Sequence, residues 1–180
     1  MWREKTARYL VLLCLIFLAG CGGCGSMHPA ILLEAPARVR SLALADAANY
    51  LGVDYVWGGW DWHGPRHVAG VGGVDCSGLV INTYRYATSC LGFSLPFSDG
   101  TVAELHDKYT VAISRPEPGD LIFMGEGEIT HLALFERIEK REVYFIDAFS
   151  TDGVVKERHY AEDNPKLIEY GRLLVLSGLD

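Results

Sequence analysis

The sequence lacks an excess of basic residues. Its 180 residues include 16 lysines and arginines against 23 aspartates and glutamates, which gives a formal net charge of −7. Nucleic-acid-binding surfaces need a basic patch that neutralises phosphates, so we expect no nucleic-acid partner. A long apolar run is also missing, because the one at residues 9–18 is too short to cross a bilayer as a helix.

The first 20 residues have the pattern of an export signal, with a basic head before the apolar run. The run ends in LAGC (18–21), which resembles the lipobox at which bacterial lipoproteins are cleaved and lipidated. We therefore expect a signal peptide at 1–20, a lipid on Cys21 and attachment to a bacterial membrane, facing the periplasm or the cell exterior. In a Gram-negative cell this would be the outer membrane. A plain secretory signal or an uncleaved anchor is the alternative.

The remaining chain has the size of one domain. Removing residues 1–20 takes away three basic residues and one acidic residue, which leaves 13 and 22 and a formal net charge of −9. Residues 21–38 are predicted to form a tether. Residues 39–180, about 140 in number, are enough for one domain with one sizeable core.

Cysteines are few, and they do not all pair. Of the five, Cys14 lies in the signal and Cys21 would carry the lipid, which leaves Cys24, Cys76 and Cys90. An odd number in an oxidising compartment implies at least one free thiol. Cys24 and Cys90 could form a disulfide, or Cys90 could be a small buried apolar residue, and the sequence leaves both open.

Apolar periodicity and turn residues predict helices first and an antiparallel sheet second, which makes an α+β domain. Helices are expected in the segment 40–52, which ends in Gly52, from 76 to about 87, and at 101–109, where Thr101 and Glu104 have the spacing of a capping box. About five strands are expected, at 121–124, 130–135, 142–149, 154–160 and 172–176. A long glycine-rich loop separates the first two helices.

Cys76 is the candidate nucleophile. It follows a possible N-cap, Asp75, at the start of a helical pattern. The free backbone N–H groups and the dipole at a helix start favour negative charge, so we expect this thiol to be biased toward thiolate. The same N–H groups could stabilise an oxyanion.

A cysteine nucleophile needs a base, and the base needs an orienting partner. His131 opens a predicted strand and could face a cleft while its apolar neighbours face the core. Asp147 ends an apolar run in the next strand, where it could accept a hydrogen bond from His131 Nδ1. The alternative for His131 is a hydrogen-bonded polar residue at a strand end without a catalytic role. The alternative for Asp147 is an aspartate that caps the following turn. His106 is expected on a surface helix, where solvent surrounds it.

Five segments in order carry a resemblance to a known family: YVWGG (55–59), DCSGLV (75–80), PGDLIF (118–123), HLALF (131–135) and IDAF (146–149). This combination resembles the NlpC-type cell-wall cysteine peptidases, bacterial enzymes with a papain-like fold, over about residues 50–176. The resemblance implies that Cys76 is the nucleophile and His131 the general base. It places Asp147 where the family has another polar residue, usually a second histidine.

The resemblance also implies a substrate and a set of contacts. Tyr55 would lie beside the nucleophile and help hold the oxyanion or the substrate. Asp75 and Ser77 would contact the amine or other polar groups of a peptidoglycan stem peptide. The implied reaction is hydrolysis of an amide between D-glutamate and a diamino acid, or of a related cross-link, through an acyl-enzyme and without a cofactor. The expected partners are stem peptides and, through the lipid on Cys21, a membrane.

Three other functions are the alternatives to a peptidase. His63 and His67 with Cys76 could suggest zinc, but HGPRH contains Gly-Pro and cannot form one helical turn, so no metal is expected. A non-catalytic wall-binding lipoprotein could use the same scaffold, although the presence of Cys76, His131 and Asp147 argues against it. An acyltransferase could use the same Cys76 and His131 pair.

Overall fold

The structure is a computed structural model that describes residues 30–59 and 72–177. Within these segments, three helices pack on an eight-stranded antiparallel sheet. The elements in chain order are β1 (Leu32–Glu34), α1 (Ala37–Ala48), α2 (Cys76–Cys90), β2 (Phe93–Ser94), α3 (Val102–Tyr109), β3 (Thr110–Ile113), β4 (Leu121–Met124), β5 (His131–Glu139), β6 (Glu142–Phe149), β7 (Val154–Ala161) and β8 (Leu167–Ser177). The predicted signal peptide, Cys21, Cys24, His63 and His67 lie outside the described residues.

The sheet is organised around its longest strand, β8. The strand order is β1-β8-β4-β5-β6-β7, and both β2 and β3 also pair with β8. The consecutive strands β4 to β7 form antiparallel neighbours joined by short turns, as the turn residues between them predict. The last strand of the chain therefore binds the early, short strands to the later hairpins.

The predicted α+β class is confirmed, but the sheet has eight strands rather than about five. The additional strands β1, β2 and β3 contain only three, two and four residues, which is too short to show a strand period in the sequence. Part of the predicted tether belongs to the fold, because Leu32 pairs with Leu176 and α1 begins at Ala37. The first helix thus lies a few residues earlier than predicted.

The core has two clusters, one on each face of the sheet. The main cluster joins α1 and α2 to Leu132 and Leu134 of β5, whereas Ala133 and Phe135 belong to the second cluster, which contains no helical residue. This division follows from the alternation of side chains along a strand. His131 has the parity of Ala133, so it emerges at the start of β5 while the neighbouring leucines fill the main core.

Helix α2 begins where its sequence predicts. The Asp75 side chain accepts a hydrogen bond from Gly78 N at 2.7 Å, which caps the helix. The positions predicted to be apolar and inward-facing are buried, and Tyr84 among them donates its hydroxyl to Gly119 O at 2.6 Å. Helix α2 is therefore anchored both to the sheet and to the turn before β4.

A buried ionic network holds the turn before β4 against the rest of the domain. Asp120 is fully buried and accepts hydrogen bonds from Arg172 Nε at 2.9 Å and from Glu117 N at 2.8 Å. Arg40 of α1, which is also buried, lies with its Nε 3.3 Å from Asp120 Oδ1 and pairs with Glu117. The network joins α1, the turn and β8.

Candidate active site

Cys76 is the first residue of α2, and its sulfur lies against the start of β5. The backbone N–H groups of Leu132, Ser77 and Cys76 itself act on the sulfur and lower the pKa of the thiol. Leu132 directly follows His131 in the chain, so the helix start and the histidine strand meet at this point. Sequence reasoning predicted this meeting of two segments more than 50 residues apart.

The environment of the sulfur raises the pKa of Cys76 to about 11. Burial is the largest cause, and the negative charge of Asp75 adds to it. The nearby backbone N–H groups lower the pKa, but by less than burial and Asp75 raise it. The expected bias toward thiolate is therefore wrong for the resting site, where desolvation outweighs the helix start. At neutral pH the thiol is protonated and must lose its proton as it attacks.

We expect alkylation of Cys76 by iodoacetamide to speed up about tenfold per pH unit until the pH approaches about 11, because only the thiolate reacts. Peptide mass mapping of the full-length chain follows Cys76 separately from the other cysteines. An Asp75→Asn variant keeps an N-capping side chain but loses the charge, so its rate profile should move to lower pH. Asp99→Asn, in the same groove, is the control. A plateau already reached below pH 8 in the unmodified protein would contradict this.

His131 and Asp147 form a short hydrogen-bonded pair. His131 Nε2 lies 2.7 Å from Asp147 Oδ2, and the Asp147 side chain is only 2% exposed. The predicted contact between the two residues is present, but it uses Nε2 rather than Nδ1. The reason is the register: Leu134 pairs with Ile146, so His131 lies diagonal to Asp147 and reaches it with its distal nitrogen.

The choice of nitrogen sets the role of the other one. An ionised carboxylate only accepts hydrogen bonds, so His131 Nε2 carries a hydrogen and donates it in the hydrogen bond to Asp147. In the neutral ring the other nitrogen, Nδ1, carries no hydrogen, so Nδ1 is the atom that can accept a proton. The His131–Asp147 pair thereby fixes both the tautomer and the plane of the ring.

A fourth residue, which the sequence did not single out, adjoins the group of Cys76, His131 and Asp147. Arg158 of β7 donates from Nε to Asp147 Oδ1 and from the amino group Nη2 to Asp147 Oδ2, both at 2.9 Å. Its signal in the sequence is the alternation of β7, in which Lys156 and Arg158 share a face. That signal becomes specific only once the pairing of β6 with β7 is known.

Asp75 and Ser77 make internal contacts in this structure. Asp75 Oδ1 accepts from Gly78 N and from the Ser77 hydroxyl, at 2.7 and 2.9 Å, while Oδ2 accepts from Gly58 N at 3.1 Å. Asp75 therefore caps α2 and ties it to the loop that carries Tyr55. Their contact with substrate stays a prediction.

Tyr55 lies beside the nucleophile, in the same groove as Cys76. Its pKa is raised, first by burial and then by the charges of Cys76 and Asp75. A protonated phenol at this position can donate a hydrogen bond. Trp57 in the same loop is 87% exposed at the edge of the groove.

Two cavities meet at the site. One, of about 630 Å³, is lined by Tyr55, Trp57 and Cys76 together with residues 99–104. The other, of about 660 Å³, is lined by His131 and Asp147 together with Glu126, Glu128, Phe149 and Lys166. Thr130 contributes to both cavities, so the cavity that Cys76 lines and the cavity that His131 lines are adjacent there.

His106 differs from its predicted surface role. Its Nδ1 lies 2.6 Å from Asp107 Oδ1 and its Nε2 lies 3.2 Å from Glu169 Oε1, and its ring contacts Phe123 edge-on. His106 of α3 thus contacts Glu169 of β8 and links the helix to that strand. A helical pattern alone cannot show such a contact.

The part of the chain that the structure describes holds no group of three His, Cys, Asp or Glu side chains arranged for a metal ion. The zinc candidates His63 and His67 lie outside it. Among the same residues, no helix has the length and apolar character needed to span a membrane. Cys90 is exposed and free, whereas its possible partner Cys24 lies outside the described segments.

The fold is an α+β domain with helices packed on an antiparallel sheet, and comparison with known proteins gives the family. Residues 52–166 match the NlpC/P60 family, and the chain belongs to that family. The relatives include the peptidoglycan endopeptidase RipA of Mycobacterium tuberculosis, 35% identical over 91 residues that make up 48% of this chain and 18% of RipA. The "Probable endopeptidase p60" of Listeria monocytogenes is 32% identical over 93 residues, 51% of this chain and 16% of p60. The chain thus spans less than a fifth of the length of these two relatives.

Solved structures agree with the fold. The peptidoglycan hydrolase RipB of Mycobacterium tuberculosis superposes with a TM-score of 0.52 at 25% identity, covering 77% of this chain and 67% of RipB. RipD of the same organism, described as a non-catalytic NlpC/p60 domain protein adapted to peptidoglycan binding, has a TM-score of 0.52 at 22% identity, covering 76% and 98%. The second likeness shows the fold alone.

Proposed function

We propose that this chain is a peptidoglycan endopeptidase of the cysteine type. The observation that carries the proposal is the position of the Cys76 sulfur at the start of β5, whose His131 is paired with a buried carboxylate. The relatives named peptidoglycan endopeptidase and peptidoglycan hydrolase support peptidoglycan as the substrate. The catalytic group is then Cys76, His131 and Asp147.

The mechanism begins with a neutral thiol. As the Cys76 sulfur attacks the scissile carbonyl carbon, His131 Nδ1 takes the thiol proton and Asp147 stabilises the imidazolium that forms. The backbone N–H groups at the start of α2 stabilise the negative charge on the carbonyl oxygen. The C–N bond breaks as His131 returns the proton to the leaving amine. Water, deprotonated by His131, then hydrolyses the thioester and releases the thiol.

The two cavities suggest how the substrate lies. The leaving amine has to meet His131, so the amine half of the peptide occupies the cavity with His131 and Asp147. The acyl half occupies the cavity with Tyr55 and Cys76. The scissile amide then crosses the junction at Thr130. The bond that we propose is the amide between D-glutamate and the diamino acid, or a related cross-link.

Mass analysis of fragments from defined muropeptides tests this function. We expect the full-length chain to convert a stem peptide into two fragments, one with a new carboxylate and one with a new amine. Adding a free amine acceptor separates hydrolysis from acyl transfer, because a transferase would join the acyl fragment to the acceptor. Binding of the muropeptide without any cleavage would identify a wall-binding protein and overturn the proposal.

We also propose that a lipid on Cys21 anchors the domain to a bacterial membrane. The support is the LAGC pattern after a basic head and an apolar run. A Cys21→Ser variant should move the protein from the membrane fraction to the soluble fraction, and the Cys21 peptide of the unmodified protein should carry the mass of a lipid. An unmodified Cys21 peptide from membrane-bound protein would contradict this.

A further inference from the structure

Arg158 is the strongest feature that the proposed mechanism leaves unused. Its side chain is 17% exposed, and it contacts both oxygens of Asp147. We infer that Arg158 is a positioning residue that aims the Asp147 carboxylate at His131 and sets the pH at which the His131–Asp147 pair takes up a proton. This inference rests on the proposed function and deepens it by adding a control on the base.

The strand register brings Arg158 to this position. Asp147 of β6 lies directly opposite Lys156 of β7, and Arg158 is two residues further along β7 on the same face. The nearer cation, Lys156, pairs instead with Asp152 at 3.7 Å. The diagonal arginine reaches Asp147 because its planar fork presents two donors to the two carboxylate oxygens.

The contacts of Arg158 extend to the ring of His131 as well. The guanidinium carbon lies 4.5 Å from the centre of the Phe149 ring, and the Phe149 ring meets His131 edge-on at 5.0 Å between centres. The remaining amino group of Arg158 lies 3.0 Å from Asp152 Oδ2. The guanidinium is thus held on three sides, by Asp147, Asp152 and Phe149.

This arrangement has a direct consequence for the base. Asp147 is buried, and its charge is shared between Arg158 and His131. A positive charge beside the pair disfavours the uptake of a proton, so Arg158 opposes the effect of the Asp147 charge on the imidazole. Without Arg158, the whole charge of Asp147 would act on the imidazole and the pair would take up its proton at a higher pH.

Other charged or titratable groups also face the pair, and a test has to separate Arg158 from them. They are Cys76 from α2, Glu126 and Glu128 from the turn before β5, Asp152 from the turn before β7, Tyr160 from β7 and Lys166 from the segment before β8. Three cations lie near the pair: Arg158 contacts Asp147 directly, whereas Lys166 pairs with Glu126 at 3.0 Å and Lys156, opposite Asp147, pairs with Asp152 at 3.7 Å.

The experiment is an NMR titration of the His131 ring in the full-length chain, assigned with a His131→Gln spectrum. We expect Arg158→Gln to raise the midpoint of the His131 titration by about one pH unit. Arg158→Lys, which keeps the charge but loses the fork, should shift it by less than half as much. Arg137→Gln, which removes an arginine that pairs with surface glutamates, is the matched control and should leave the midpoint unchanged.

A second variant, Asp152→Asn, should shift the midpoint in the opposite direction, and it leaves every contact of Asp147 in place. Asp152→Asn deletes a negative charge beside Arg158, so the His131 midpoint should fall. A midpoint that stays within about 0.2 pH units in both Arg158→Gln and Asp152→Asn, or that moves equally in Arg137→Gln, would overturn the inference.

The dependence of peptide release on pH tests whether the same shift affects catalysis. The acidic limb of kcat/KM should move to higher pH in Arg158→Gln, because His131 must be neutral to accept the thiol proton. The NMR midpoint does not depend on turnover. A shifted midpoint in a protein without peptidase activity would therefore support the role of Arg158 and reject the proposed function, and an unshifted midpoint in an active enzyme would do the reverse.

Discussion

Cys76→Ala is expected to lower the release of stem peptides from purified peptidoglycan by a factor on the order of 10⁴ or more, to the level of a blank. The reason is chemical: alanine has no atom that can form the acyl-enzyme, so His131 and Asp147 have nothing to activate. Binding should survive, because the sulfur is one atom in a groove lined by many residues. Quantitative chromatography of the released peptides measures the loss.

Cys90→Ala is the matched control for this experiment. Cys90 is at the other end of the same helix, it is exposed, and it forms no disulfide with another cysteine in the part of the chain that the structure describes. It lines neither of the two cavities at the site. We expect this variant to keep the full rate. Equal losses in the two variants would show that the effect comes from helix α2 rather than from the nucleophile.

The largest effect on stability is expected from Asp120→Ala, which should lower the free energy of unfolding by about 3–5 kcal/mol. The substitution removes the buried carboxylate beside Arg40 and leaves that arginine only its pair with the exposed Glu117. It removes the acceptor to which Arg172 donates from both Nε and Nη2. It also frees Glu117 N, which bonds to Asp120 Oδ2. Because the main cost is the loss of the buried negative charge and of the hydrogen bonds that it accepts, Asp120→Asn, which keeps an acceptor, should fall between the wild type and Asp120→Ala.

Denaturant unfolding of the two Asp120 variants beside Glu162→Ala checks this expectation. Glu162 pairs with Arg141 at 3.9 Å on the surface, where an ion pair contributes about 0–1 kcal/mol. A change at Asp120 no larger than that at Glu162 would mean that the buried network does not hold the turn before β4.

How far the sequence predicts the fold depends on the length of each element. Strands β4 and β6 have the predicted bounds, because each is a nearly continuous apolar run between turn residues. Helix α2 begins at the predicted residue, since Asp75 and the apolar spacing act locally. The short strands β1 to β3 owe their order to pairing with β8, and no local pattern encodes a partner more than 55 residues away.

The site shows the same division between local and non-local causes. Cys76 and His131 were predicted from their places at the starts of a helix and a strand. The use of Nε2 rather than Nδ1 depends on the register of β5 with β6, where a bulge lies between Phe135 and Arg137. The raised pKa of Cys76 depends on burial by residues distant in the sequence. Arg158 required the register of β6 with β7.

The central claim is that one sulfur atom does the chemistry, and partial alkylation tests it directly. The full-length protein is treated with limiting iodoacetamide at pH 9 for different times, returned to neutral pH, and divided between peptide mass mapping and the peptidoglycan assay. We predict that the remaining rate equals the unmodified fraction of Cys76 at every time point, whatever the state of Cys90. Full activity in samples in which Cys76 is completely alkylated would contradict the account.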